Sequence, residues 1–221
     1  MKTAKVCPIY KKNSRLDVGN YRTVSILVVV SKIVERSVYS QLEKYLVEND
    51  LLYNLQSGFR SADSTDTCLF QLLYHIKNET AKGLYTGMIM LDLQKAFATV
   101  DHHILCNKLQ IMGVKCTKWF ESYLCNRQQK VSINGIESNL RYITCGVPQG
   151  IILGPLLFLY YVNDISTSIS KDWKIVSYAD DSTILYSHKN PEVIYEKLGK
   201  ELESCSKWLI DNKLSIYVRK S

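Results

Sequence analysis

The run Ile175-Val176-Ser177-Tyr178-Ala179-Asp180-Asp181-Ser182-Thr183-Ile184-Leu185-Tyr186 constrains the chain more than any other segment. Two β-forming stretches, Ile175 to Ala179 and Thr183 to Tyr186, flank the Asp180-Asp181 pair, so the two carboxylates crown a tight hairpin. Along a strand, neighbouring side chains point to opposite faces, and a turn is needed to aim both acids at one spot. Two such oxygens suit a hard Mg²⁺ ion, with phosphate oxygens and water completing its octahedron. The competing reading is a solvated turn, where Asp-Asp is common.

A third carboxylate, Asp92, stands 88 residues before Asp180, near the end of Met88-Ile89-Met90-Leu91-Asp92-Leu93. This short apolar run reads as a buried strand. A charged group inside it needs a partner or a metal, because its desolvation is otherwise costly. Three acids on two adjacent strands would make a two-metal phosphoryl-transfer centre. A strand-end residue already in water is the alternative.

Elsewhere the apolar spacing predicts helices. Ser31 caps one that runs to about Asn49, with Ile33, Val34, Val38, Leu42 and Leu46 inward. Ser64 to Asn78 predicts a second, with Leu69, Leu72, Leu73 and Ile76 on one face. His103 to Cys125 is a third helical region, and Ile151 to Val162 reads as a buried helix. Pro191 opens the last, with Ile194, Leu198, Leu202, Cys205 and Leu209 inward. Lys130 to Ile133 followed by Asn134-Gly135 carries the strongest two-residue hairpin signal. Strands and helices are mixed, and the class is α+β.

A length of 221 residues fits one large domain or two small ones, and no repeat or linker divides the chain. The longest strongly apolar stretch, Ile151 to Val162, is broken by Gly154 and Pro155 and falls short of the roughly 20 residues of a membrane span. The first residues lack a long apolar stretch, so the chain reads as intracellular, in nucleus or cytoplasm, and not secreted. Lys and Arg number 28 against 21 Asp and Glu, a surplus of +7 that favours polyanionic partners. Seven scattered cysteines, never spaced C-x-x-C, imply neither a disulfide framework nor a zinc site.

Longer words surround the three acids. Pro8-Ile-Tyr-Lys-Lys12 precedes Asn20-Tyr-Arg-Thr-Val-Ser-Ile26, and Gln56-Ser-Gly-Phe-Arg60 precedes Ser64-Thr65. Leu91-Asp-Leu-Gln-Lys-Ala-Phe97 leads to Thr99-Val-Asp-His102, then to Ser122-Tyr-Leu-Cys-Asn-Arg127 and Gly146-Val-Pro-Gln-Gly150. Leu153-Gly-Pro-Leu-Leu-Phe158, Asn163-Asp164, Tyr178-Ala-Asp-Asp181, Trp208-Leu209 and Asn212-Lys-Leu-Ser215 follow. In this order and spacing, from Pro8 to Ser215, the words resemble the reverse transcriptase of non-LTR (LINE-type) retrotransposons.

The resemblance implies a right-hand polymerase with a ferredoxin-like antiparallel palm sheet. Residues 1–221 would be one reverse transcriptase domain, fingers-like over about 1–82 and mainly palm, with inserted fingers elements, over about 83–221. The chain ends where a thumb would begin, so the thumb is expected to be absent. By the same resemblance, Asp92, Asp180 and Asp181 are catalytic metal ligands for two Mg²⁺ ions, with Mn²⁺ as a substitute. Lys220 would protonate the leaving pyrophosphate, and Arg60 would hold the triphosphate. Phe97 would lie beneath the incoming sugar and exclude a 2′-hydroxyl. Gln149 and Gly150 would contact the nucleotide, and Tyr178 would lie near the primer terminus. The implied partners are an RNA template, a DNA primer and deoxynucleoside triphosphates, without a membrane.

The chain departs from the family at four places. Ala98 stands where an aspartate is usual, Thr23 replaces a proline, Ile151 a serine and Tyr217 an asparagine. The second function consistent with these departures is a decayed or domesticated, catalytically weak nucleic-acid-binding remnant.

Overall fold

The computed structural model describes residues 2–61 and 63–216, so Tyr217 and Lys220 lie outside the described residues. In chain order the elements are β1 (Thr3–Tyr10), β2 (Tyr21–Ile26), α1 (Val29–Glu48), α2 (Thr65–Ala81), β3 (Tyr85–Asp92) and α3 (Ala96–Thr99). Then come α4 (His102–Ile111), α5 (Thr117–Leu124), β4 (Gln128–Ile133), β5 (Ile136–Glu137) and β6 (Arg141–Tyr142). α6 (Leu153–Val162), β7 (Lys174–Tyr178), β8 (Asp181–His188) and α7 (Pro191–Asp211) complete the chain. They fall into two compact units, Met1–Leu51 with Phe97–Tyr161, and Leu52–Ala96 with Val162–Ser221.

The first unit is built on a five-stranded sheet in which β1 pairs antiparallel with β2 on one edge and parallel with β4 on the other. Asn134 and Gly135 take φ of 51° and 83°, and Ile133 faces Ile136 across them, so the two-residue hairpin forms as its sequence predicts. The region predicted as one helix over 103–125 is two, because Gly113 adopts φ of 82° and ends α4. The core is α6: Leu156, Leu157, Phe158, Leu159, Tyr160 and Tyr161 are all at most 2% exposed. A helix that is apolar all round can be stable in water only when enclosed on every side.

α1 departs from its predicted face. It begins at Val29 with Val28 as an uncapped N-cap, and Ser31 lies within its first turn. Leu42 and Leu46 are buried as expected, but in the N-terminal half the buried residues are Ser31 and Glu35, whereas Ile33 and Val34 are exposed. The buried Glu35 carboxylate explains the rotation. One oxygen accepts from Tyr123 Oη at 2.9 Å and the other from the Ile152 amide at 3.0 Å, which ties α1 to α5 and to the segment entering α6. Burial, reinforced by the Glu35 charge, pushes the Tyr123 hydroxyl far above its ordinary pKa, so it remains a donor. Glu35→Ala leaves two buried donors without an acceptor, and chemical denaturation should show a loss of about 2–4 kcal/mol.

The second unit carries the antiparallel sheet β3-β8-β7, with α2 and α7 packed against it. Gly87 marks the covered face of β3: a Cβ there would lie 2.3 Å from Ile194 Cγ2 of α7. Alternation then places Met88, Met90 and Asp92 on the other face, which is exposed along β3, with Met90 71% exposed, but covered further across, where Leu185 and Val176 on the same face are buried. β3 is therefore not the buried strand its composition suggests. An unbroken apolar run does not reveal that one face of the strand is exposed, and Asp92 lies at that exposed side. α2 likewise leaves Leu69 and Leu73 exposed and half-buries Leu72 and Ile76, because its two apolar stripes compete for one docking face. Its N-terminus is a capping box between Ser64 and Thr67. Asn190 caps α7 and Pro191 sits in its first turn, while Ile194, Cys205 and Leu209 are buried.

Candidate active site

The hairpin positions the acids. Tyr178 faces Asp181 across a two-residue turn, Ala179-Asp180, so Asp181 is the first residue of β8 and Asp180 occupies the turn. Asp181 is also the cross-strand partner of Asp92, the last residue of β3. Residues directly opposite in an antiparallel pair share a face, and here both lie at the exposed end of theirs. Asp92 and Asp181 are exposed and Asp180 is half-buried.

Two of the acids act on the third, Asp181. Partial burial, together with the negative charges of Asp180 and Asp92, raises the Asp181 carboxyl above its ordinary value of 3.8. Unrelieved like charge on hard oxygen donors fits a divalent cation. Among the described residues, however, no three His, Cys, Asp or Glu side chains are gathered closely enough to grip one ion. A raised folded-state value means that the fold binds the proton more tightly than the unfolded chain. Stability from this group is therefore present at low pH and is lost as pH rises from 3.8 through the raised value. In metal-free solution at neutral pH, Asp181→Asn should raise the melting temperature by about 1–3 °C, and the gain should vanish in acid. Calorimetry across the pH range checks both halves.

The turn itself is strained. Ala179 has φ of 58°, a left-handed conformation that costs a non-glycine residue about 1–2 kcal/mol. Segment 53–58 runs alongside it. Tyr53 Oη donates to the Ile175 carbonyl at 2.9 Å, the Ser177 amide to the Leu55 carbonyl at 2.8 Å, and the Ser57 amide to the Ser177 carbonyl at 2.9 Å. Gln56, 6% exposed, then reaches Ala179 with its side chain. Just beyond this segment, Arg60 donates back to the Tyr53 and Gln56 carbonyls at 3.2 and 3.3 Å and pairs with Asp63 at 3.4 Å. Those contacts make it a staple of its own loop.

Phe97, Gln149 and Gly150 belong to the first unit. Phe97 is 9% exposed, its ring stacked on Phe158 with centroids 4.6 Å apart, and its carbonyl accepts from the Val147 amide. The Gln149 carbonyl accepts from the Ser25 amide at 2.7 Å. Gly150 has φ of 88°, and a Cβ there would come within 3.0 Å of Val24 Cγ1. Ala98 is exposed, and its carbonyl would lie 2.7 Å from a Cβ at Gly146, so glycine is required there for the close approach. His102 Nε2 lies 2.8 Å from the Gly146 carbonyl, 44 residues on in the chain.

Mixed helices and sheets, with acids at one end of the antiparallel second sheet, are consistent with a polymerase fingers–palm fold. Residues 9–221 match the family "Reverse transcriptase (RNA-dependent DNA polymerase)", and the chain belongs to that family. Its relatives are of the LINE type. It is 29% identical over 202 residues to the probable RNA-directed DNA polymerase from transposon BS of Drosophila melanogaster, covering 86% of this chain and 22% of the relative. It is 28% identical over 215 residues to the RNA-directed DNA polymerase from mobile element jockey of the same fly, covering 94% and 24%. The chain thus spans less than a quarter of the length of these curated relatives. Among solved structures, telomerase from Candida tropicalis in complex with a TWJ fragment of telomeric RNA matches with a TM-score of 0.69 at 12% identity, covering 97% of this chain and 40% of that one. That likeness shows the fold. Among the described residues no helix is long and apolar enough to cross a membrane.

Proposed function

We propose that the chain is the polymerising part of an RNA-directed DNA polymerase. The carrying observation is the cross-strand pairing of exposed Asp92 with exposed Asp181 beside Asp180, at the end of a sheet, in a chain of the reverse transcriptase family. On this reading the second unit is the palm, a ferredoxin-like sheet, and the first supplies fingers elements. The reaction is attack of a primer 3′-hydroxyl on the α-phosphorus of a deoxynucleoside triphosphate, forming the new phosphodiester and releasing pyrophosphate. Asp92, Asp180 and Asp181 would hold two Mg²⁺ ions, or Mn²⁺ in their place, which when bound neutralise phosphate charge and ease deprotonation of the hydroxyl.

The chain's own residues do the rest by positioning. Tyr178, at the hairpin end, faces the primer terminus. Gly150 lets the backbone of the Gln149-Gly150 loop approach the nucleotide. By the family resemblance, Phe97 would border the sugar. Arg60 would have to release part of its loop contacts to reach a triphosphate, and Lys220 would serve as the acid for pyrophosphate. The template is RNA, and the surplus of basic residues supplies phosphate contacts.

The test is extension of a DNA primer on an RNA template with the four deoxynucleotides and Mg²⁺. Product that chelation abolishes is expected. RNA binding without any extension would favour the catalytically weak, nucleic-acid-binding reading, for which Ala98 and Ile151 are the motivating residues. Under that reading Ala98→Asp should restore extension. If the chain is already active, Ala98→Asp should raise its rate by about tenfold or less, as steady-state kinetics would show.

A further inference from the structure

Gln56 has a place in this chemistry that its position in the chain does not announce. Its side-chain Oε1 accepts two hydrogen bonds, from the Gly58 amide at 2.8 Å and from the Ala179 amide at 2.9 Å. Its Nε2 donates to the Ala179 carbonyl at 3.1 Å. One side-chain amide therefore binds both polar groups of the residue that forms the strained corner of the hairpin, the residue immediately before Asp180. Backbone ladder bonds hold Ser177 to segment 55–57, but they end there, and the Gln56 side-chain amide continues the pairing two residues further, at Ala179.

Gly58 closes the arrangement from outside. A Cβ at that position would lie 2.0 Å from the Ala179 nitrogen and 2.6 Å from its Cα, distances that backbone atoms cannot yield without moving the turn. Gln56 is buried, so its bonds face little competition from water. The left-handed Ala179 would relax if these bonds were absent, and relaxation would swing Asp180 relative to Asp181, which is fixed by its ladder to Asp92.

We propose that Gln56 is a positioning residue for the metal site: its amide clamps Ala179 so that Asp180 and Asp181 stay in register for cation binding. The proposal rests on the reading of those aspartates as metal ligands. It assigns the Gln56-Ser57-Gly58 segment to the architecture of the metal site.

The test is Mn²⁺ titration of the full chain followed by electron paramagnetic resonance, with amide hydrogen exchange of segment 177–182 measured alongside. Wild type is compared with Gln56→Met, with Gln56→Met combined with Ala179→Gly, and with Asp180→Asn. Gln56→Met should weaken Mn²⁺ binding about 10–100-fold, the range typical of residues that orient metal ligands, and speed exchange of the Ala179 amide. Adding Ala179→Gly should recover part of the affinity, because glycine adopts the corner conformation without help. A merely structural role would not move metal affinity at temperatures where the variant is folded, nor be rescued by that glycine. If Gln56→Met does not fold, the double variant carries the comparison by itself, with affinity between those of wild type and Asp180→Asn as the supporting result. Wild-type affinity in Gln56→Met, beside weakened binding in Asp180→Asn, would overturn the clamp alone. Identical Mn²⁺ binding in wild type and Asp180→Asn would overturn the metal-site reading, and the clamp with it.

Discussion

Asp180→Asn should lower primer-extension turnover by about three orders of magnitude, equivalent to about 4 kcal/mol of transition-state stabilisation. The substitution keeps the size and the hydrogen-bonding oxygen of the side chain and removes only its charge. Asp180 sits in the turn between the Gln56-bound Ala179 and the ladder-fixed Asp181, so its backbone is defined on both sides. The loss should therefore appear without a matching loss of stability. Single-turnover extension at saturating Mg²⁺, with thermal unfolding of the same preparation, separates the two effects. Turnover within about tenfold of wild type would remove Asp180 from the metal site and leave the hairpin as an acidic surface turn.

The legible parts of the chain are those whose determinants are local. The β7–β8 hairpin is readable because both strands and their turn lie within fifteen consecutive residues. The Asn134-Gly135 hairpin and the proline-opened α7 are readable for the same reason. What could not be read depends on partners distant in sequence. Met88 and Met90 look like core residues until the neighbours of β3 are known, and only Gly87 beneath Ile194 shows which face α7 covers. Ile33 and Val34 carry the apolar signal on α1, yet Glu35 is buried because Tyr123 and Ile152, 88 and 117 residues away, supply its donors. Gln56 stood out only as a letter of a family word. Its contact is with residue 179, and a glutamine before a small residue and a glycine gives no hint of a partner 123 positions on. Of the candidate site, the turn that carries Asp180 and Asp181 and the strand that ends in Asp92 are legible in the sequence. The clamp that holds the turn is not.

Phe97→Val should both destabilise the first unit and relax sugar selection, and the two consequences can be told apart. The ring is 9% exposed and stacks on Phe158, so its removal opens a cavity costing about 2–3 kcal/mol in chemical denaturation. If its exposed edge borders the incoming sugar, the smaller side chain also leaves room for a 2′-hydroxyl. The ratio of kcat/KM for deoxynucleotide over ribonucleotide should then fall about 10–100-fold, the range over which a pocket discriminates one added group by fit. Phe158→Val is the matched control. Phe158 is fully buried against the same ring, so its truncation should cost comparable stability while leaving the ratio where it was. A selectivity change in both variants would mean that the stacked pair acts as one unit and that loosening either ring displaces the other. An unchanged ratio in an active Phe97→Val protein would assign the ring to the core of the first unit, and the preference for deoxynucleotides would have to come from other residues of the site.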